Sequence, residues 1–393
     1  MENKKERPIW KHLFKLKKSA PVLYKFLFIY IIAEIFVICI LPFILDKTIY
    51  LSFYLSSQAK EKTHLFFKNQ NSMIPDEVVG WKNRPMTTKK SWIIDENGSR
   101  ATHKFSFDKQ KSIRVMFLGS SMINGGTRIS NHETISAYLE DDMIETINFG
   151  TMMYSLDQVL LSYRTNLYKY NEDILVVGID IEANEGLINH YIPFRFPQEE
   201  NVPYIKPRFE ICSGNLRLIE VSPKKMLENI PNNNFLIKFL SENDSFYYKF
   251  DTFCYFGMLP VSGSIRNGSL KLIRLEKYFV DNSSGDALLL AIINEIKFEA
   301  EKNGSRVIFL MNTDKTIILR SGIYRFLKDL YNHQFEMLLE KGLNVIDIRS
   351  VFLHSHVNYE ILFDADQSHY SASGNKIIAD KLKVDILKAS KLK

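Results

Sequence analysis

Two short segments, far apart in the chain, carry the groups that an acyl-transfer site needs: Gly119-Ser120-Ser121 and Asp366-Gln367-Ser368-His369. Ser121 offers a hydroxyl nucleophile, His369 an imidazole to take its proton, and Asp366 a carboxylate to hold that imidazole in one tautomer. A three-residue offset on a turn lets the carboxylate hold one ring nitrogen while the other faces the serine. Each segment alone has an ordinary reading. Gly-Ser-Ser is a common loop, and Asp-x-x-His is most often a helix cap followed by a surface histidine. Their joint order, and their placement after successive strands, points to nucleophilic catalysis.

The elements that must position them form a regular pattern. Ile113 to Leu118 (IRVMFL), Glu145 to Phe149, Asp173 to Ile179, Arg306 to Met311 and Asn344 to Ile348 are short apolar runs. Continuous rather than alternating apolar strands imply burial on both faces, as in parallel sheets. Helical spacing over Thr134 to Met143, Leu156 to Tyr168, Ala287 to Ala300, Phe326 to Glu340 and Gly374 to Ala389 separates them. Repeated βα units predict an α/β fold with a right-handed, doubly wound, mainly parallel sheet of flavodoxin-like kind. Residues 190–285 break this rhythm. Pro207 to Ile211 and Leu216 to Val221 flank Cys212-Ser213-Gly214-Asn215, a hairpin signal, and an aromatic, helix-like stretch follows. The segment reads as an insertion packed over the carboxyl edge of the sheet.

In such a sheet ligands bind just beyond the carboxyl ends of the strands. Ser121 follows the first strand, near a helix N-terminus whose dipole and free N–H groups favour an oxyanion. Gly150 follows the second strand and offers a backbone N–H. After the third, Gly178 to Asn184 is rich in side-chain donors and acceptors.

The N-terminal third sets the location. The formal charge is +6, but eight lysines and arginines from Lys4 to Lys25 precede the first apolar run, and the rest of the chain is near neutral. Nucleic acid is therefore not an expected partner. Phe26 to Leu45 is twenty residues with one charge, Glu34. That length matches a bilayer core at the helical rise. It predicts an uncleaved transmembrane helix rather than a signal peptide, because no small-x-small cleavage pattern follows. The positive-inside rule then puts residues 1–25 in the cytoplasm and everything from about residue 46 outside. Glu34 at mid-span suits either an integral membrane partner or a neutral carboxyl tolerated by the helix. Residues 46–110 read as a membrane-proximal helix and an extended lead-in, and 111–393 as the α/β domain. Three cysteines are too few for a disulfide framework, although Cys212 and Cys254 allow one bridge. No metal or cofactor is expected: His354 and His356 lack acidic or cysteine partners at ligand spacing.

With these residues in place, the chain resembles the SGNH, or GDSL-like, hydrolase superfamily. The resemblance rests on Gly119-Ser120-Ser121 with Gly125, on Asn148-Phe149-Gly150 with Ser155 and Gln158, and on Asp366 to His369 with Gly374. Gly80-Trp81 and Gly98-Ser99-Arg100 look like the lead-in of large membrane-anchored members, and the likeness spans roughly residues 76–386. It implies Ser121 as nucleophile, His369 as base and Asp366 as orienting carboxylate. It also implies an oxyanion hole from the N–H groups of Ser121 and Gly150, with a third donor from an asparagine in the third block. There Gly178-Ile179-Asp180-Ile181 departs from the family's Gly-x-Asn-Asp, leaving Asn184 as the candidate donor, and Ser120 stands where Asp is usual. The expected function is a membrane-anchored, extracytoplasmic serine esterase or O-acyltransferase acting through an acyl-serine on acylated envelope glycans or lipids. The rival reading is a non-catalytic envelope component that binds a glycan or an integral membrane acyltransferase.

Overall fold

The computed structural model describes residues 72–89, 92–103, 105–192, 205–228, 233–244, 279, 284–319, 325–365 and 369–390, with 25, 26, 28–30 and 32. Most of the expected membrane span, the helix expected after it, and Asp366 lie outside the described residues. Among the described residues, no helix is long and apolar enough to cross a membrane.

Two small antiparallel ribbons form the lead-in: β1 (Met73–Asp76) with β2 (Gly80–Asn83), and β3 (Thr88–Lys89) with β4 (Trp92–Ile93). The main sheet follows, built from β5 (Ile113–Leu118), β6 (Ile144–Asn148), β7 (Ile174–Ile179), β10 (Arg306–Met311) and β11 (Val345–Asp347). All its pairings are parallel and the spatial order is β11-β10-β7-β5-β6. Taken in sequence, the strands are arranged 2-1-3-4-5, so the order reverses between β5 and β7. Ligands of doubly wound sheets bind at that switch point.

Successive strand residues feed two separate cores, one on each face. Leu118, Val177, Phe309 and Met311 pack into the first, beneath helices α3 (Leu156–Thr165), α4 (Ser284–Lys302) and α5 (Arg325–Glu340). Val115, Phe117, Val176 and Leu310 pack into the second, with α1 (Ser121–Asn124), α2 (Ile135–Leu139), α6 (Ile348–His354) and α7 (Ala372–Ser390). Helix α4 shows why the first layer holds: Leu288, Leu289, Ile292, Ile293 and Ile296 fall on one buried face at helical spacing. Burying each such side chain contributes about 1.5–3 kcal/mol.

Several boundaries move for local reasons. Helix α2 stops at Leu139 rather than running to Met143, because the Asp141 carboxylate accepts the N–H groups of Met143 (2.8 Å) and Ile144 (2.9 Å) and starts a turn into β6. Helix α3 ends at Thr165 and gives way to a 3-10 turn, Leu167–Tyr170, that finishes on Asn171 at φ +49°. Helix α6 has no counterpart in the expected pattern. It springs directly from β11 because Asp347 caps it, accepting the Ser350 N–H at 3.0 Å. His354 thus ends a helix rather than flanking a strand.

The expected hairpin is present and tighter: β8 (Arg208–Cys212) and β9 (Asn215–Ile219) are joined through Ser213 and Gly214. Both turn residues have positive φ, +51° and +81°, as a two-residue primed turn requires. Buried polar groups anchor this insertion. The Asp244 carboxylate accepts the backbone N–H groups of His190 (2.7 Å) and Tyr191 (2.8 Å). Lys206 donates to the Asp157 carboxylate with both side chains wholly buried. His190, the residue at the mouth of the insertion, is buried too, its Nδ1–H donating to the Lys206 carbonyl at 2.7 Å. Burial pushes its pKa well below the ordinary value, and the charge of Arg208 adds to the effect.

The unfolded chain therefore binds a proton at residue 190 that the folded chain refuses. Stability from this group is complete above the unfolded value of about 6.5 and falls as pH drops below it, by at most about 1.4 kcal/mol per pH unit. Denaturant unfolding between pH 7 and 5 is expected to show that loss, and His190→Gln is expected to flatten it. An unchanged slope in the variant would remove His190 as the cause.

Candidate active site

Ser121 opens α1, immediately beyond β5 at the switch point. Ser120 is the helix cap, its hydroxyl accepting the Met122 N–H at 3.1 Å, and Ser121 is left half-buried at the first helical position. Helix α1 is one turn, closed by Gly125, whose N–H donates to the Ser121 carbonyl at 2.8 Å. The expected helix-dipole contribution does not apply to so short a helix, because the dipole needs several aligned peptides.

The turn can lie flat across the strand ends because three glycines share one level. Register places Phe117 opposite Asn148 and Leu118 opposite Val177, so Gly119 comes level with Gly150 on one side and Gly178 on the other. A Cβ at Gly178 would fall 2.4 Å from Ile123 Cγ1, and one at Gly119 2.6 Å from the same atom. A Cβ at Gly150 would fall 2.4 Å from the Asn124 nitrogen. Any side chain on this row would lift α1 off the sheet.

Asparagines then fasten the turn. Asn124 donates to the Gly150 carbonyl at 2.7 Å and accepts from the Trp92 indole at 3.1 Å. Asn148 donates to the Ile123 carbonyl at 2.9 Å. The loop beyond α1 is held by Arg100, which is buried and bonds the carbonyls of Asn124 (2.8 Å), Gly126 (2.5 Å) and Ile129 (2.6 Å) and the side chain of Asn131 (3.0 Å). Burial lowers its pKa to about 9, so it remains charged at neutral pH.

That loop is where His369 arrives. Gly126 sits at φ +63°, and a Cβ there would lie 3.3 Å from His369 Cγ and Cδ2. Only glycine combines that backbone with room for the imidazole. The histidine's own segment is pinned on both sides. Its carbonyl accepts the Asp364 N–H at 2.9 Å, and the next residue, Tyr370, reaches the end of β10. The Tyr370 hydroxyl accepts the Thr313 N–H (3.0 Å) and donates to Asn312 Oδ1 (3.3 Å), while Asn312 Nδ2 donates to Asp180 Oδ1 (2.8 Å). Burial raises the Tyr370 phenol's pKa and keeps it a donor.

The fold therefore brings Ser121 and His369 to one loop, Gly125-Gly126. Two expected oxyanion donors are committed elsewhere. The Gly150 N–H was expected to be unhindered, but it donates to Asn148 Oδ1 at 2.9 Å in a side-chain turn. Asn184 is buried, and its amide donates to Gln334 Oε1 (2.8 Å) on α5, in the layer opposite the one that Met122 and Ile123 pack into. Asp180, just beyond β7, accepts from Asn312 and so offers an acceptor rather than a donor there. Sequence reasoning missed Asn312 and the brace formed by Arg100. Asn312 was accessible by the rule already applied elsewhere, as the first polar residue beyond a strand end. The bracing role of Arg100 had no local signal, since three of its partners are backbone carbonyls and the fourth, Asn131, is 31 residues away. Among the described residues, no group of three or more His, Cys, Asp or Glu is placed to hold a metal ion.

The glycine row makes a sharp expectation. Gly178→Ala should destabilise the fold by about 1–3 kcal/mol and displace α1, and Ile123→Ala in the same chain should recover part of the loss by removing the clashing methylene. Urea denaturation of the single and double variants checks this. A Gly178→Ala protein as stable as the wild type would show that the row is not needed.

The sequence matches no protein-family model and no curated protein. Among solved structures, the chain is similar to an acetylxylan esterase from Geobacillus stearothermophilus at 11% identity, covering 69% of this chain and 93% of that one, with a TM-score of 0.36. It is also similar to an alpha/beta hydrolase enzyme from the metagenome of Lake Arreo, Spain, at 12% identity over 69% of this chain and 94% of that one, with a TM-score of 0.35. A G-D-S-L-family protein from Desulfitobacterium hafniense, described as lipolytic, has 11% identity over 69% and 98%, with a TM-score of 0.32. At these scores the reading of the site stands on this chain's own residues.

Proposed function

We propose that the protein is a serine esterase or O-acyltransferase, anchored by the apolar segment Phe26 to Leu45 and acting outside the membrane on ester-linked acyl groups of envelope glycans or lipids. The observation that supports the catalytic part is that Ser121 and His369 border one loop at the switch point of the sheet: the Ser121 carbonyl accepts the Gly125 N–H at 2.8 Å, and the His369 ring lies beside Gly126. Support for the anchor comes from the helical residues Phe26, Phe28, Ile29 and Ile32, all more than half exposed. An apolar, uncovered helix suits lipid as its surroundings.

In this reading the Ser121 oxygen attacks the acyl carbonyl as its proton passes to the His369 imidazole. The tetrahedral intermediate collapses, the alcohol leaves with that proton, and the acyl group stays on Ser121. Water or a sugar hydroxyl then gives its proton to the imidazole and takes the acyl group, and the imidazolium returns that proton to the released Ser121 oxygen. Asp366 is assigned to orient the imidazole by the sequence alone.

A specific observation favours a second reading, a binding component without catalysis. Of the three expected oxyanion donors, Gly150 and Asn184 donate to Asn148 and Gln334. Loss of one such donor typically costs about 3 kcal/mol of transition-state stabilisation.

Intact mass after treatment with a fluorophosphonate separates the two. The catalytic reading expects one adduct on the wild type and none on Ser121→Ala or His369→Ala. A folded wild-type protein that takes up no label would favour the binding reading. If label is incorporated, incubation with an acyl donor and a glycan acceptor resolves the chemistry: acylated glycan identifies a transferase, and free acid alone an esterase.

A further inference from the structure

A cavity of about 350 Å³ lies between the lead-in and α3, along the β6 edge of the sheet. It is lined on one side by residues of β1, β2 and the turn at Asn97, and on the other by Ser162, Asn166 and Lys169 from the end of α3 and the turn that follows. Phe149, Tyr154 and Tyr170 contribute aromatic surface. Phe107 also lines it, stacked on Tyr170 with ring centres 4.8 Å apart and planes inclined by 26°, yet 55% exposed. Nothing in the acyl-transfer chemistry uses these residues.

The composition of the lining selects a ligand class. Two carboxylates, Asp76 and Glu96, are matched by two ammonium groups, Lys82 and Lys169, so the walls carry no net charge. Asn97 and Asn166 add side-chain amides on opposite sides. Aromatic faces with carboxylates and amides around them suit a flat ligand that has apolar C–H faces and many neutral hydroxyls, which describes a pyranose. A charged lipid headgroup or a phosphate would need a surplus of one sign. The volume falls within the range of small-ligand sites. Two lining residues, Phe149 and Thr151, flank Gly150, and the Thr151 N–H donates to the Gly119 carbonyl at 2.9 Å. One end of the cavity, at Phe149 and Thr151, therefore lies beside the strand ends that carry Ser121, and the cavity runs from there along the β6 edge to Phe107 and Tyr170 near the amino end of the sheet.

We propose that this cavity is a subsite for neutral pyranose units of the glycan that bears the ester, an assignment that builds on the acyl-transfer reading of Ser121. Binding energy gathered here, away from the reacting atoms, favours polymeric esters over small ones.

The test uses the full chain carrying Ser121→Ala, titrated calorimetrically with chitotetraose, a neutral pyranose probe. Binding is expected at about millimolar or better. Phe107→Ala, at an exposed ring, is expected to weaken it about tenfold, and Asn166→Ala on the facing wall to weaken it in the same direction. In chains that keep Ser121, Phe107→Ala should leave fluorophosphonate labelling unchanged. No binding, or binding in both wall variants as tight as in the parent chain, overturns the subsite. Label on Ser121 without chitotetraose binding would sink the subsite and leave the acyl-transfer reading intact. Binding that depends on Phe107 without label would support the subsite and sink the catalytic reading.

Discussion

The fit of one helical turn on a row of three glycines is the constraint on which the site depends. Gly150, Gly119 and Gly178 come level on β6, β5 and β7, and α1 rests its Ile123 and Asn124 on them with no space for a methyl group. The contact is tight on all three glycines: the Ile123 side chain fills the space over Gly119 and Gly178, and the Asn124 backbone nitrogen lies over Gly150. It sets the height of Ser121 above the sheet before any side-chain hydrogen bond forms. The asparagine bonds around it then fix rotation: Asn124 to Gly150, and Asn148 to Ile123. The same economy explains the lost donor, since Asn148 lies close enough to take the Gly150 N–H into its own turn.

Two buried arginines extend this order to the chain before the sheet. Arg114, in β5, pairs with Glu145 and bonds the carbonyls of Ser106, Phe107, Asp108 and Tyr170, fastening the lead-in to the amino end of the sheet. Arg100 does the corresponding work at the carboxyl end, through the loop that meets His369. A guanidinium suits both tasks, because its five donors spread in a plane and serve several carbonyls at once. Between these two points the lead-in runs beside β6, and the cavity along that edge is a consequence of being fastened at its ends. The lead-in is thus part of the site: Trp92 and Asn83 both reach the glycine row, through Asn124 and the Gly150 carbonyl.

The fold was legible because its signals are local. IRVMFL and DILVVGI declare two-sided burial by composition, and the βα alternation leaves few topologies. The primed turn at Ser213-Gly214 and the serine at the head of α1 were legible for the same reason. What could not be read depends on partners distant in sequence. The amide of Asn184 has a donor's chemistry, and only the packing of α5 decides that Gln334 receives it. Nothing local in the sequence marks His190 as buried, because its partners Asp244, Lys206 and Phe239 all come later in the insertion. Arg100 stood out only as the end of the Gly98-Ser99-Arg100 lead-in, and its bracing role leaves no pattern, since a carbonyl partner has no residue type.

These contrasts bear on how the site would stabilise negative charge. Asp180, Asn312 and Tyr370 form a chain in which the tyrosine hydroxyl donates to the asparagine oxygen and the asparagine nitrogen to the carboxylate. This orientation fixes the Asn312 amide with its nitrogen toward β7, the strand beside Ser121. It also joins the segment of His369 to the ends of β7 and β10. A carboxylate at position 180 would repel an oxyanion, whereas an amide held by that carboxylate would attract one, so Asp180 and Asn312 act as one arrangement. In register, Asn312 follows Met311 opposite Ile179, which puts it level with Asp180. The glycine at 178 leaves room for Asn312: a Cβ there would lie 2.8 Å from Asn312 Nδ2. The residue that seats the serine's helix is therefore also the one that admits the asparagine.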